Sequence, residues 1–264
     1  VIARATVALA CVVVVAALAV GTAAAAGAST RADACTSCFE RRVERIGTTA
    51  QGRPITVVAR GRRDADIDVL VVSGIHGNER GGGPIVRQLQ RELPPRRVRW
   101  WLVAGLNVDG MRRDTRQNAR GVDLNRNFPF DWRGGGRPFD TFYPGPRAAS
   151  EPETRAVLGL VRRVRPDLTL WYHQHARLVD QPSGAWRVAL ARIYARWSQL
   201  PLRSGVFGRL HGTATSWQHH EQPRSAAFVV ELPAGTPGAT AVARHLVAIR
   251  RTSIAAAHDD VRSP

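Results

Sequence analysis

The sequence predicts a single α/β domain with a mixed, mostly parallel central sheet flanked by helices. Short apolar runs recur at residues 69–72, 98–104, 168–172 and 226–230, each bounded by turn-forming residues, and each reads as a buried strand. Stretches with helical spacing of apolar residues separate most of these runs, and strands alternating with helices are the pattern of a parallel sheet covered on both faces. Three of the four runs end in ionisable side chains: His76 with Glu79, His173, and Glu231. Open α/β sheets keep their ligands at that end of their strands.

Residues 1–28 are almost all Ala and Val, with one Arg at Arg4. The apolar run 5–20 followed by the small-residue string 21–28 has the order of a secretory signal peptide, with A-x-A cleavage sites. Retained, the run is long enough to act as a membrane anchor. Either outcome places the protein outside the cytoplasm, secreted or at the cell envelope. Cys11 lies inside this run, leaving Cys35 and Cys38, a C-x-x-C pair that in an exported protein reads as a disulfide staple. Residues 29–42 are then an N-terminal segment, 43–258 the folded domain and 259–264 a tail. A mature chain of about 235 residues fits one domain with a sizeable core.

The net charge of +17 looks like a nucleic-acid signal, but all 38 basic residues are Arg. They are scattered, aromatics are few, and no nucleic-acid motif is present, so nucleic acid is not expected as a partner. Attraction to anionic wall polymers or acidic peptides remains open.

Within the domain, residues 43–50 and 55–59 flank a Gln51-Gly52 turn and read as a hairpin. The strand at 69–72 runs through a glycine turn into His76 and Glu79, then into a helix marked by Ile85, Val86, Leu89 and Leu93. After the strand at 98–104 comes a polar stretch, 112–145, rich in Gly, Arg and Asn. Loops this long in a compact domain are functional or disordered. Ser150-Glu-Pro-Glu153 reads as a capping box. It opens a helix whose Val157, Leu160, Val161 and Val164 share one face, stopped by Pro166. A third strand delivers His173, a helix covers about 185–197, a fourth strand delivers Glu231, and a helix over 239–257 closes the chain. No internal repeat is visible.

His76 and Glu79 can reach one zinc ion from a single turn, but a hydrolytic zinc usually takes three protein ligands and leaves a position open. His173 and His175, two apart on one strand face, are both candidates for the third. Taken singly, each ionisable group has an ordinary structural reading, a half-buried histidine or a surface carboxylate. Three strand ends carrying such groups together are harder to assign to packing.

These residues fall into motifs in a fixed order: H-G-N-E, N-V-D-G, G-V-D-L-N-R-N-F-P, Y-P-G-P, S-E-P-E-T, W-Y-H and V-V-E-L-P. In order and spacing they resemble the zinc carboxypeptidases related to pancreatic carboxypeptidase A, over about residues 43–255. The resemblance implies one zinc per chain held by His76, Glu79 and His173, the aromatic-then-His pattern favouring His173 over His175. It implies Glu231 as general base and acid, Asp123 as the carboxylate orienting a ligand histidine, and Asn125 with Arg126 as the grip on a substrate carboxylate. Arg113 or Arg116 would hold the oxyanion, with the N-A-R-G spacing favouring Arg116. The short length and the N-A-R-G and S-E-P-E-T runs look nearest to the bacterial murein-peptide amidase branch, which cleaves γ-D-glutamyl-diaminopimelate bonds. That branch implies cell-wall stem peptides as the peptide substrate, and the protein is expected to be a monomer. Two departures stand out. No Tyr lies between Tyr194 and Glu231, where the family's carboxypeptidases carry a mobile one, and residues 212–217 offer neither an apolar nor an acidic pocket floor. The alternatives are a general metallocarboxypeptidase trimming C-terminal residues, or a small-molecule zinc deacylase of the aspartoacylase type, whose pattern does not need D-L-N-R-N-F-P. A non-enzymatic wall-binding domain on a degenerate scaffold would lack a ligand or the base, and all four residues are present.

Overall fold

A computed structural model of the chain describes residue 1 and residues 39–258. The apolar N-terminal run and the Cys35–Cys38 pair lie outside these residues. Among the described residues no helix is long and apolar enough to cross a membrane.

Strands β1 (Phe39–Thr48) and β2 (Pro54–Arg62) form the expected antiparallel hairpin. It starts before Val43, because Phe39 pairs with Arg62 and Arg42 with Ala59. The polar residues Glu40, Arg41 and Arg42 therefore belong to the sheet and not to a separate N-terminal segment. A charged edge strand is ordinary, since only its backbone has to pair. Next come β3 (Ile67–Val72), α1 (Gly82–Leu89), β4 (Val98–Val103), α2 (Val108–Arg113) and α3 (Pro152–Val164). The chain continues with β5 (Leu168–Gln174), β6 (Leu178–Asp180), α4 (Ala185–Ser198), β7 (Leu202–Arg203), α5 (Ala214–Glu221), β8 (Ala226–Leu232) and α6 (Ala239–Ala256).

One eight-stranded sheet results, in the order β1-β2-β4-β3-β5-β8-β6-β7. Its middle strands, β4, β3, β5 and β8, are parallel. Antiparallel pairing to β2 on one side and β6 on the other makes the sheet mixed. Buried parallel strands have no polar face, so their side chains alternate between two apolar layers. Val69 and Val71 pack with Ile85 and Leu89 of α1, Leu190 of α4 and Ile249 of α6. Leu70 and Val72 pack on the other face with Val157, Leu160 and Val161 of α3 and Trp217 of α5. Complete burial of each such side chain is worth about 1.5–3 kcal/mol. The connection after β3 runs through α1 on one face, and the one into β5 runs through α3 on the other. The switch in direction lies between β3 and β5, where open sheets form their ligand crevice.

The capping box expected at Ser150 does not form. Glu151 is the N-cap of α3 and makes no side-chain cap bond, while Pro152 occupies the first turn. Ser150 is drawn into tertiary contacts instead: its hydroxyl donates to Glu151 Oε1 (2.7 Å) and accepts from Asn127 Nδ2 (2.9 Å). Glu153 accepts the Ala50 N–H (2.9 Å) and an Asn118 amide N–H (3.1 Å). These bonds tie α3 to the hairpin and to the long loop, which is buried over most of residues 117–128.

Candidate active site

His76 leaves β3 through Gly74, whose φ of +67° is open mainly to glycine. At Gly77 the turn lies against α2, so closely that a Cβ there would sit 2.1 Å from the Gly110 carbonyl carbon. The Asn-Val-Asp-Gly motif is thereby explained: Gly110 admits the turn, and Asn107 caps α2 by accepting the Gly110 N–H (2.9 Å). The Arg116 carbonyl accepts the Gly77 N–H (3.3 Å), so the loop bearing Arg116 is fastened to the one bearing His76. His173 and Glu231 come from the adjacent parallel strands β5 and β8, where they are register partners.

Three of these groups converge. Glu79 Oε1 lies 2.8 Å from His76 Nδ1, and its Oε2 lies 2.9 Å from His173 Nδ1. The two Nδ1 atoms are 3.2 Å apart. On its far side His76 Nε2 meets Asp123 Oδ1 at 3.0 Å. Asp123 is fully buried and accepts from Arg116 Nε (3.0 Å) and Nη2 (2.9 Å) and from the Asn125 N–H (2.9 Å). Arg116 Nη1 reaches Glu79 Oε1 at 3.2 Å. Burial opposes charge on Glu79, but His76 and His173 outweigh it and hold the carboxyl well below the usual range. At Asp123 burial is outweighed in the same way by His76 and by Arg116 and Arg126. Burial also opposes a charged His76, yet Asp123 and Glu79 raise its pKa above the ordinary value.

The donor set fits a zinc ion. With Asp123 accepting the Nε2–H hydrogen bond, His76 in that tautomer turns its Nδ1 lone pair toward a carboxylate and a second imidazole nitrogen. Lone pairs facing one another across 2.8–3.2 Å call for a cation between them. Bond lengths of ~2.0–2.1 Å at a tetrahedral zinc imply neighbouring donors about 3.3 Å apart, close to this spacing. His76, Glu79 and His173 are the one such His/Cys/Asp/Glu group among the described residues.

One cavity of about 560 Å³ is lined by His76, Glu79, His173, Glu231, Arg116, Asn125 and Arg126. Asp123 stands behind it. Arg113 does not line it; it ends α2 and is exposed. His175 lines the cavity but is exposed and outside the converging group. Two histidines of α5, His219 and His220, do not line the cavity. His219 accepts the Ala227 N–H (3.1 Å), with burial and then Arg187 pushing its pKa down to about 4, and His220 stacks on Phe130.

The cavity also departs from expectation. Thr213, Thr215 and Ser216 line it, but so do Val206, Phe207, Leu210 and the carboxylate of Asp180. Its walls are thus neither purely hydroxylated nor free of acid. Sequence reasoning missed Asp180 because β6 is only three residues long and carries no strand pattern of its own. It missed α5 as well, though Thr213 supplied a cap signal: its hydroxyl accepts the Ser216 N–H (3.3 Å).

An α/β sheet whose parallel strand ends gather two histidines and a glutamate, with a second glutamate on the cavity wall, has the frame of a zinc-dependent hydrolase. A family model described as zinc carboxypeptidase matches residues 36–189. The chain belongs to that family, and it is a hydrolase. The match stops short of Glu231, which β8 brings to the site. Murein peptide amidase A of Escherichia coli is 29% identical over 202 residues, covering 71% of this chain and 81% of that protein. A crystal structure of murein-tripeptide amidase from Escherichia coli aligns with a TM-score of 0.63 at 25% identity, over 86% of this chain and 94% of that one. Carboxypeptidase A from Helicoverpa armigera shares the fold, with a TM-score of 0.73 at 19% identity, over 82% and 68% of the two chains.

Proposed function

We propose that the protein is a zinc metallopeptidase of the cell envelope that hydrolyses amide bonds beside a substrate carboxylate, cleaving wall-derived peptides at γ-D-glutamyl-diaminopimelate bonds. The observation that carries this reading is the single cavity lined by the His–Glu–His group, Glu231, Arg116 and the Asn125–Arg126 pair. Likeness to the murein amidases supports the substrate class, and the apolar run 5–20 supports export.

His76, Glu79 and His173 would hold zinc, which supplies Lewis acidity toward an amide carbonyl and makes water more acidic. Glu231, 8% exposed at its strand end, accepts the proton of the attacking water and returns it to the leaving amine. A guanidinium has five N–H donors, and the Arg116 bonds to Asp123 and Glu79 use three, leaving two for the developing oxyanion. Arg126 donates to the Asn125 carbonyl (2.8 Å), lies over the Phe142 ring (5.0 Å) and forms no ion pair among the described residues. Burial lowers its pKa even though the Asp123 carboxylate nearby acts in the opposite sense, so a second carboxylate would stabilise its charge. The Asn125 Oδ1 accepts the Ala214 N–H (2.9 Å), which leaves its amide NH2 as a donor beside Arg126. Together they suit a carboxylate.

Mass spectrometry of muropeptides and ordinary peptides after incubation with the zinc-loaded protein tests this reading, with Glu231→Gln as the inactive control. Cleavage of the γ-D-glutamyl bond, lost in the variant, is expected. Efficient release of C-terminal Phe, Leu, Lys or Arg with murein tripeptide left intact would make it a general carboxypeptidase instead.

A further inference from the structure

The cavity contains a carboxylate that the chemistry above does not use. Strand β6 pairs antiparallel with β8, Leu178 opposite Glu231 and Val179 opposite Val230. Continuing that register by one residue sets Asp180 opposite Val229, on the same sheet face as Glu231 and diagonal to it, about 7 Å away. Asp180, Val229 and Glu231 accordingly line one wall.

Among the described residues no cationic side chain is paired with Asp180, and its register partner on β7, Arg203, is exposed and turns to the Leu202 carbonyl (3.4 Å). Burial, and then the negative charge of Glu231, push the Asp180 carboxyl up to about 6, so its charge is held at a cost that a nearby cation would relieve. An apolar group placed against it would strip its water and return nothing. Arg126 lines the same cavity and is assigned to the substrate carboxylate, so a substrate residue anchored there can extend its side chain toward Asp180.

We propose that Asp180 is a specificity-determining residue that binds an ammonium group on the side chain of the residue released with the leaving amine. The inference rests on the peptidase reading above and assigns recognition of the second amino group of its leaving residue to Asp180. Asp180 is the acidic wall that residues 212–217 do not provide, while Thr215 and Ser216 line the cavity with it.

Binding separates this inference from the peptidase reading. L-Lysine and L-norleucine share an α-carboxylate and a four-carbon side chain and differ by the terminal ammonium. Calorimetric titration of the zinc-loaded protein should show lysine binding about tenfold or more tightly, as a charge-assisted hydrogen bond gives. Asp180→Asn should bring the ratio near one, and Asp180→Glu should restore part of it. Equal affinities in the wild type, no binding of either, or a preference surviving in Asp180→Asn overturns the inference. Turnover of peptides ending in the same two residues supplies the second readout. Asp180→Asn should raise KM for the lysine peptide about tenfold and move KM for the norleucine peptide far less. An equal change in both peptides, in KM or in kcat alone, would make Asp180 a residue acting through Glu231 and would also overturn it. If the wild type cleaves neither peptide nor any muropeptide, the peptidase reading fails, while the binding ratio still decides the role of Asp180.

Discussion

Replacing Asp123 by Asn changes almost no volume and removes one charge at the point where the site is most tightly bonded. Asp123 holds four contacts: His76 Nε2, two N–H groups of Arg116 and the Asn125 backbone N–H. An amide can keep one or two of these, but its NH2 end must face either the imidazole N–H or the guanidinium. His76 then loses the acceptor that fixes its tautomer and aims Nδ1 at the metal position. Loss of such a partner typically weakens metal binding by about 10–100-fold. By linkage, saturating zinc should then stabilise the variant by about 1.4–2.7 kcal/mol less than the wild type. The apoprotein should be weakened separately. Breaking a fully buried pair costs 3–5 kcal/mol or so, but Arg116 is 22% exposed and keeps Glu79, so about 1–3 kcal/mol is expected. Competition with a chromophoric chelator gives the zinc affinity, and denaturant melts with and without zinc give the two stability differences. Wild-type zinc affinity in Asp123→Asn, with an undiminished zinc increment, would refute the role given to Asp123.

The ligand set is checked by substitution at β5: His173→Ala should lose most of its zinc while His175→Ala keeps it, as metal analysis after dialysis will show. The reverse would move the third ligand to His175. A pH dependence follows from His245, which is buried with its Nδ1 2.7 Å from the Tyr194 hydroxyl and its pKa pushed down to about 4 by burial and then by Arg244. Below pH 6.5 the unfolded chain takes up this proton and the folded one does not. Stability should therefore fall as pH drops from about 6.5 to about 4, by on the order of 3 kcal/mol from this group. His245→Gln should flatten that slope in urea titrations, and an unchanged slope would mean that His245 is not held neutral.

Some of this protein was written in short stretches of sequence. The four apolar runs, the glycine turn and the His76–Glu79 pair are each set by a few consecutive residues, because burial on both faces of a parallel strand requires an unbroken apolar run. The arrival of His173 and Glu231 at strand ends was legible for the same reason, and the motif order marked the family. Other features depended on residues far apart in the chain. Arg116 lines the cavity and Arg113 does not because α2 ends between them and the loop beyond it folds back onto Gly77. Ser150 lost its capping role to a bond with Asn127, and α3 is held instead by Ala50 and Asn118. Asp180 entered the cavity wall through a three-residue strand whose pairing to β8 spans some fifty positions. Such contacts have no local periodicity to betray them. Their energy comes from register and burial between distant segments, and those exist only after the sheet has closed around them.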